Sequence, residues 1–90
     1  MVKRGKLEII KDILEIVRNS NNSIKPTPLL RKSNISSLKF KEYFVEMAEK
    51  GFVKEVQNDE GKKFISLTDK GFKFLEKYQT IVAFIDEFEL

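Results

Sequence analysis

The stretch from Lys25 to Gly51, KPTPLLRKSNISSLKFKEYFVEMAEKG, limits the possible folds most, because two helical patterns stand one tight turn apart in it. Thr27 is a good N-cap and Pro28 suits a first helical position, where a missing N–H costs nothing, so a short helix is expected to begin there. Ser33 and Asn34 interrupt it, since their side chains compete for backbone hydrogen bonds. Ser36 then caps a longer helix reaching about Lys50, with Phe40, Phe44 and Met47 on one face and Ala48 beside them. Gly51 suits the left-handed residue that closes many helices. Two helices joined so closely form a helix-turn-helix.

The flanking segments extend this unit. Leu7, Ile10, Ile13, Leu14 and Val17 recur at three- and four-residue spacing and predict a helix from about Lys6 to Asn19 with a buried stripe. NSNNS ends it, and Ile24 and Lys25 suit a very short strand. FVKEVQ and KKFISL read as two strands around NDEG, whose Asn, Asp and Gly supply the turn. Thr68 caps a fourth helix running to the C-terminus. The order helix, strand, helix, helix, strand, strand, helix is that of a winged helix-turn-helix, an α+β fold that is mainly α. With 90 residues and no internal repeat, the expected division is a winged domain over 1–67 and a C-terminal helix over 68–90. Eight phenylalanines suggest a core anchored by large rings.

The last helix carries its own signal. Phe74, Tyr78, Ile81, Ile85 and Phe88 alternate four- and three-residue steps, the rhythm of a coiled coil, and Leu75 and Val82 widen the stripe. Such a helix is roughly 35 Å long at about 1.5 Å per residue, more than so small a core covers. These seven residues are the expected dimer interface, paired with a second copy. The competing reading folds the helix back on its own domain.

Charge indicates a partner. The chain carries a net +3, yet residues 1–41 hold ten basic and three acidic side chains and residues 42–90 seven and eleven. Between Lys25 and Lys41 there are five cations and no acid. This asymmetry points to a polyanion on one side of the molecule. In a helix-turn-helix the longer helix, about 36–50 here, lies in the DNA major groove and its N-terminal residues meet base edges. Ser36, Ser37, Leu38, Lys39 and Lys41 then face double-stranded DNA, with Arg31 and Lys32 flanking them. Leu38 suits a thymine methyl, Ser37 a base edge, and the helix N-terminus a phosphate. Absence of cysteine and histidine removes thiolate metal sites and the usual general base, so neither a metal, a cofactor nor an enzyme is expected. No apolar run reaches a membrane span and charges interrupt the N-terminal segment, so a cytoplasmic location is the default, nucleoid-associated where the polyanion is DNA. No small-molecule ligand is evident.

KRGKLEIIKDIL, KPTPLLRKSNIS, EKGFV and ISLTDKGFKFLEKY together resemble the small archaeal winged-helix DNA-binding proteins of about ten kilodaltons, the dimeric, chromatin-associated and regulator-like family. The resemblance covers essentially the whole chain. It implies a winged helix extended by an antiparallel coiled-coil helix, and DNA binding through the third helix and the wing. Carried onto this sequence, it implies contacts by Ser36, Ser37, Lys39 and Lys41, with Lys3, Arg4 and Lys6 on the backbone. One departure concerns the wing, whose tip holds Asp59 and Glu60 where a phosphate grip wants cations; Lys62 and Lys63 offer compensation. Two readings follow: a homodimeric DNA-binding regulator or chromatin organiser, and a winged helix that docks other proteins without DNA.

Overall fold

The computed structural model describes residues 5–90, so Lys3 and Arg4 fall outside the described residues. Its elements are α1 (Lys6–Asn19), α2 (Pro26–Ser33), α3 (Ser37–Glu49), β1 (Val53–Gln57), β2 (Lys63–Leu67) and α4 (Asp69–Glu87). The strands pair antiparallel, Val53 opposite Leu67 and Gln57 opposite Lys63. Ile24 adds a single bridge to Ile65 through mutual backbone hydrogen bonds of 3.2 and 2.7 Å. This is a winged helix-turn-helix: three helices, a β-hairpin wing and a long closing helix.

The expected caps are found at two helices. Ser36 Oγ accepts the Lys39 N–H at 3.2 Å, and Thr68 Oγ1 accepts that of Gly71 at 3.1 Å. Gly51, at φ +80°, takes the left-handed position after α3. The start of α2 differs: Lys25 is its N-cap and Pro26 its first residue, which puts Thr27 and Pro28 inside the first turn. Two prolines lie in this turn, and the earlier one starts the helix, with Lys25 in the extended backbone that a residue before proline prefers. Lys25 is therefore a cap, and the short strand shrinks to Ile24.

Ile10, Ile13, Leu14 and Val17 are buried as their spacing predicts, but Leu7 is 61% exposed because the first turn of α1 projects past the core. The largest fully buried side chains are Ile13, Leu14, Leu29, Met47, Ile65 and Val17, so the centre is aliphatic. Phe40, Phe44, Phe52 and Phe74 pack around its margin as half-buried rings, with Phe40 stacked on Phe44 at 5.8 Å and Phe52 against Phe74 at 5.1 Å. The expectation of a ring-anchored core is corrected: small domains have too little interior for several whole phenylalanines.

Contacts distant in sequence hold the wing to the helices. Asn22, in the left-handed region at φ 57°, accepts the Leu67 N–H on its Oδ1, and its carbonyl accepts the Ser66 hydroxyl, both at 2.7 Å. On the opposite side Thr68 donates its hydroxyl to the Gly51 carbonyl and its N–H to that of Phe52. These bonds draw the N-terminus of α4 so close that a Cβ on Gly71 would lie 2.3 Å from the Phe52 carbonyl oxygen. Gly71→Ala therefore must displace backbone. It is expected to lower stability by about 1–3 kcal/mol despite alanine's better helix propensity, measured as a reduced denaturant midpoint at unchanged slope.

Leu75 is 3% exposed and completes this core, so the first turns of α4 pack with the winged domain. Its assignment to a dimer stripe is thereby corrected: it faces inward. Beyond Tyr78 every residue of the chain is exposed, and the molecule measures 50 × 27 × 22 Å. No described helix is long and apolar enough to cross a membrane.

Candidate nucleic-acid interface

The helix-turn-helix is held by a few side-chain and backbone contacts. Asn34 takes the left-handed conformation that turns the chain out of α2, and the buried Ser33 donates its hydroxyl to the Leu30 carbonyl at 2.6 Å. Met47, Phe40 and Phe44 turn one side of α3 inward, which leaves Ser37, Leu38, Lys39, Lys41 and Glu42 exposed on the other. Ser36 is exposed as well, but its oxygen is already engaged as the cap. Like those of any helix start, the N–H groups of Ser37 and Leu38 have no intrahelical partner.

The five cations of the acid-free run, Lys25, Arg31, Lys32, Lys39 and Lys41, are all exposed. Lys39 lies 3.7 Å from Glu42 in a pair more than half exposed on both sides, worth little and readily exchanged. Lys6 is placed differently. Its ammonium sits 2.8 Å from Glu46, which also takes Lys50 at 3.3 Å, and Glu46 lies about 15 Å along α3 from Ser36. Lys6, then Lys50, hold the Glu46 carboxyl below its ordinary range. Lys6 thus ties α1 to α3, with its charge shared.

The wing turn is closed by side-chain hydrogen bonds, and the hairpin is nearly self-neutralised. Asn58 Oδ1 accepts the N–H groups of Glu60 and Lys62 at 3.0 and 2.9 Å, and Gly61 at φ +81° closes the turn. Lys62 lies 3.6 Å from Glu60 and Lys63 4.0 Å from Glu55, so both candidate wing contacts have acidic neighbours.

A second surface runs along the outer part of α4. Ile81, Val82, Ile85 and Phe88 are exposed there, and so is Phe84, which the four-three rhythm omits although its ring packs tilted against Phe88 at 4.8 Å. An exposed apolar stripe needs more than one line of the heptad, and its full width was the missing signal. Phe74 and Tyr78 are only half-buried, where α4 leaves the domain. Leu7 of α1 lines a shallow groove with Phe74, Tyr78 and Ile81. Lys11 borders the same region, held by Asp12 at 2.7 Å and Glu15 at 3.0 Å, with its ammonium 5.7 Å from the Tyr78 ring centre. Asp12 above all, with Glu15, pushes the Lys11 pKa up. Among the described residues no cluster is placed to hold a metal ion.

Residues 3–85 match the sequence profile of the winged helix-turn-helix family. The chain belongs to that family. Its fold is similar to that of Sso10a-2, a DNA-binding protein from Sulfolobus solfataricus, with a TM-score of 0.74 at 20% identity over 96% of this chain and 86% of that one. It is similar also to F-93 of SSV1, with a TM-score of 0.63 at 26% identity over 88% and 91% of the two chains. No curated protein matches by sequence. The resemblance to small archaeal winged-helix proteins is thus met in profile and in fold. Membership of the winged helix-turn-helix family accounts for the tight α2–α3 turn and the hairpin, and identifies α3 as the helix to test against a duplex.

Proposed function

We propose that this protein binds double-stranded DNA as a homodimer and acts as a transcription regulator or chromatin organiser. The observation that carries the reading is the acid-free run from Lys25 to Lys41, whose five cations are all exposed and which ends in the N-terminal part of α3. A helix N-terminus and four cations at Arg31, Lys32, Lys39 and Lys41 suit phosphates on the two walls of a major groove. The sharing of a fold with Sso10a-2, a DNA-binding protein, supports the same reading. The outer α4 stripe would join two copies antiparallel and set the two reading surfaces tens of Å apart, suited to separated or bridged segments. Binding is tested by titrating duplex at several salt concentrations. With four or five phosphates neutralised per domain, log affinity falls with log salt at a slope of roughly 4. Failure to retain duplex even in dilute buffer refutes the reading.

The wing offers a prediction of opposite sign. Asp59→Asn with Glu60→Gln removes two negative charges and frees Lys62 from its 3.6 Å partner. If the wing lies near phosphates, affinity rises several-fold at low salt and the salt slope steepens by about 1. No change in either quantity places the wing tip off the DNA.

The acidic neighbours of Lys62 and Lys63 favour a second reading, a winged helix that docks a protein. A partner that stays bound after nuclease treatment supports it.

A further inference from the structure

We propose that α3 reads thymine methyl groups, with Leu38 and Val45 as the specificity-determining side chains. This rests on the DNA-binding reading above and says what is recognised. Leu38 is 70% exposed and Val45 46% exposed. Seven residues apart, they lie within about 20° of each other around the helix and on the side opposite Met47. Lys39 and Lys41 emerge on the two flanks of that line, placed for a phosphate wall on either side. Between Leu38 and Val45 that line is apolar at each end with one lysine on either flank, which suits the floor of a major groove carrying methyl groups.

The composition of α3 narrows the alternatives. SLKFKEYFVEMAE contains no Arg, Asn or Gln. Recognition of guanine by Arg and of adenine by Asn or Gln is therefore missing from this helix, and its two lysines, which could also meet guanine, leave on the flanks toward the phosphates. What its outward line presents is Leu38 and Val45, with the acceptor-only carboxylates of Glu42 between them and Glu49 one turn beyond. The 5-methyl of thymine is the apolar group that the major groove displays. Leu38 and Val45 stand roughly 10.5 Å apart along the axis at about 1.5 Å per residue, close to three base-pair steps of about 3.4 Å. The preferred site accordingly carries two thymines about three pairs apart. The flanking cations, with no acid between Lys25 and Lys41, favour a duplex over a protein as the occupant of this face.

The test uses the full chain and two short duplexes made only of A·T pairs, one ordinary and one with deoxyuridine in place of thymidine, which lacks only the methyl. Anisotropy titration at fixed salt is expected to show roughly tenfold tighter binding to the thymine duplex, at about fourfold per methyl contact. The Leu38→Ala, Val45→Ala double variant, changed only at exposed positions, is expected to bind both duplexes alike with the wild-type salt slope. Equal affinity of the wild type for both duplexes overturns methyl reading while leaving DNA binding intact. Retention of neither duplex in dilute buffer overturns the DNA-binding reading itself and this inference with it.

Discussion

Reversing charge at Lys39 and Lys41 to Glu is expected to weaken duplex binding by two to three decades, roughly, at about 0.1 M salt, while the fold persists. Each replacement removes one attraction and adds one repulsion, each about 1 kcal/mol for charges some 4 Å apart in bulk water. Four such terms per domain amount to roughly 4 kcal/mol. The salt slope is expected to fall by about 2 per domain, because each lost phosphate contact removes about one. Both lysines are exposed, and Lys39 gives up only its open pair with Glu42. Stability should therefore shift by no more than about 0.5 kcal/mol. Paired gel-shift and thermal measurements on the same variant check both halves of this expectation. Undiminished retention on DNA would remove α3 from the interface.

A comparable effect is expected on assembly. Ile81→Glu with Ile85→Glu should turn a species of twice 10.5 kDa into one of 10.5 kDa in sedimentation, with the thermal transition of the winged domain kept. Burying the five apolar side chains of the outer α4 is worth very roughly 7–15 kcal/mol per chain, against about 4–15 kcal/mol for association. The balance tolerates few losses. Two carboxylates facing an apolar seam each lose hydration without a partner, so dissociation by a hundredfold or more is expected. Leu75→Ala supplies the contrast: its side chain is buried in the monomer, so about 2–5 kcal/mol of folding stability is lost instead. DNA binding by the dissociated variant should retain its slope per domain but lose the gain from linkage on duplexes long enough for both heads. A wild type that sediments only as single chains at high concentration would refute the dimer.

Much of the architecture follows from local chemistry. Ser36 and Thr68 cap because a hydroxyl at that position meets an unpaired N–H a turn later, and Gly51 turns because it lacks a Cβ. The inward set Ile10, Ile13, Leu14 and Val17 follows from a period of 3.6, and so does the outward placement of Leu38, Lys39 and Lys41. The candidate DNA face was therefore legible as a chemical surface, since its charge lies in a single run. The start of α2 was not, because Pro26 and Pro28 both satisfy the local rule and only the Ile24 bridge to Ile65 places the chain.

By itself, the sequence determined the helices, the tight turn, the hairpin and the sign of the charge on each half, all consequences of neighbours within a few residues. Tertiary structure alone decided what those elements meet. Asn22 reaches Leu67 across forty-five positions, Gly71 meets the Phe52 carbonyl, Lys6 meets Glu46, and Leu75 turns inward while Ile81, one and a half turns or so further on, faces water. Periodicity gives the direction of a side chain around its own helix, but burial depends on whether another element stands opposite. Along α4 the last buried residue is Leu75 and the last half-buried one Tyr78.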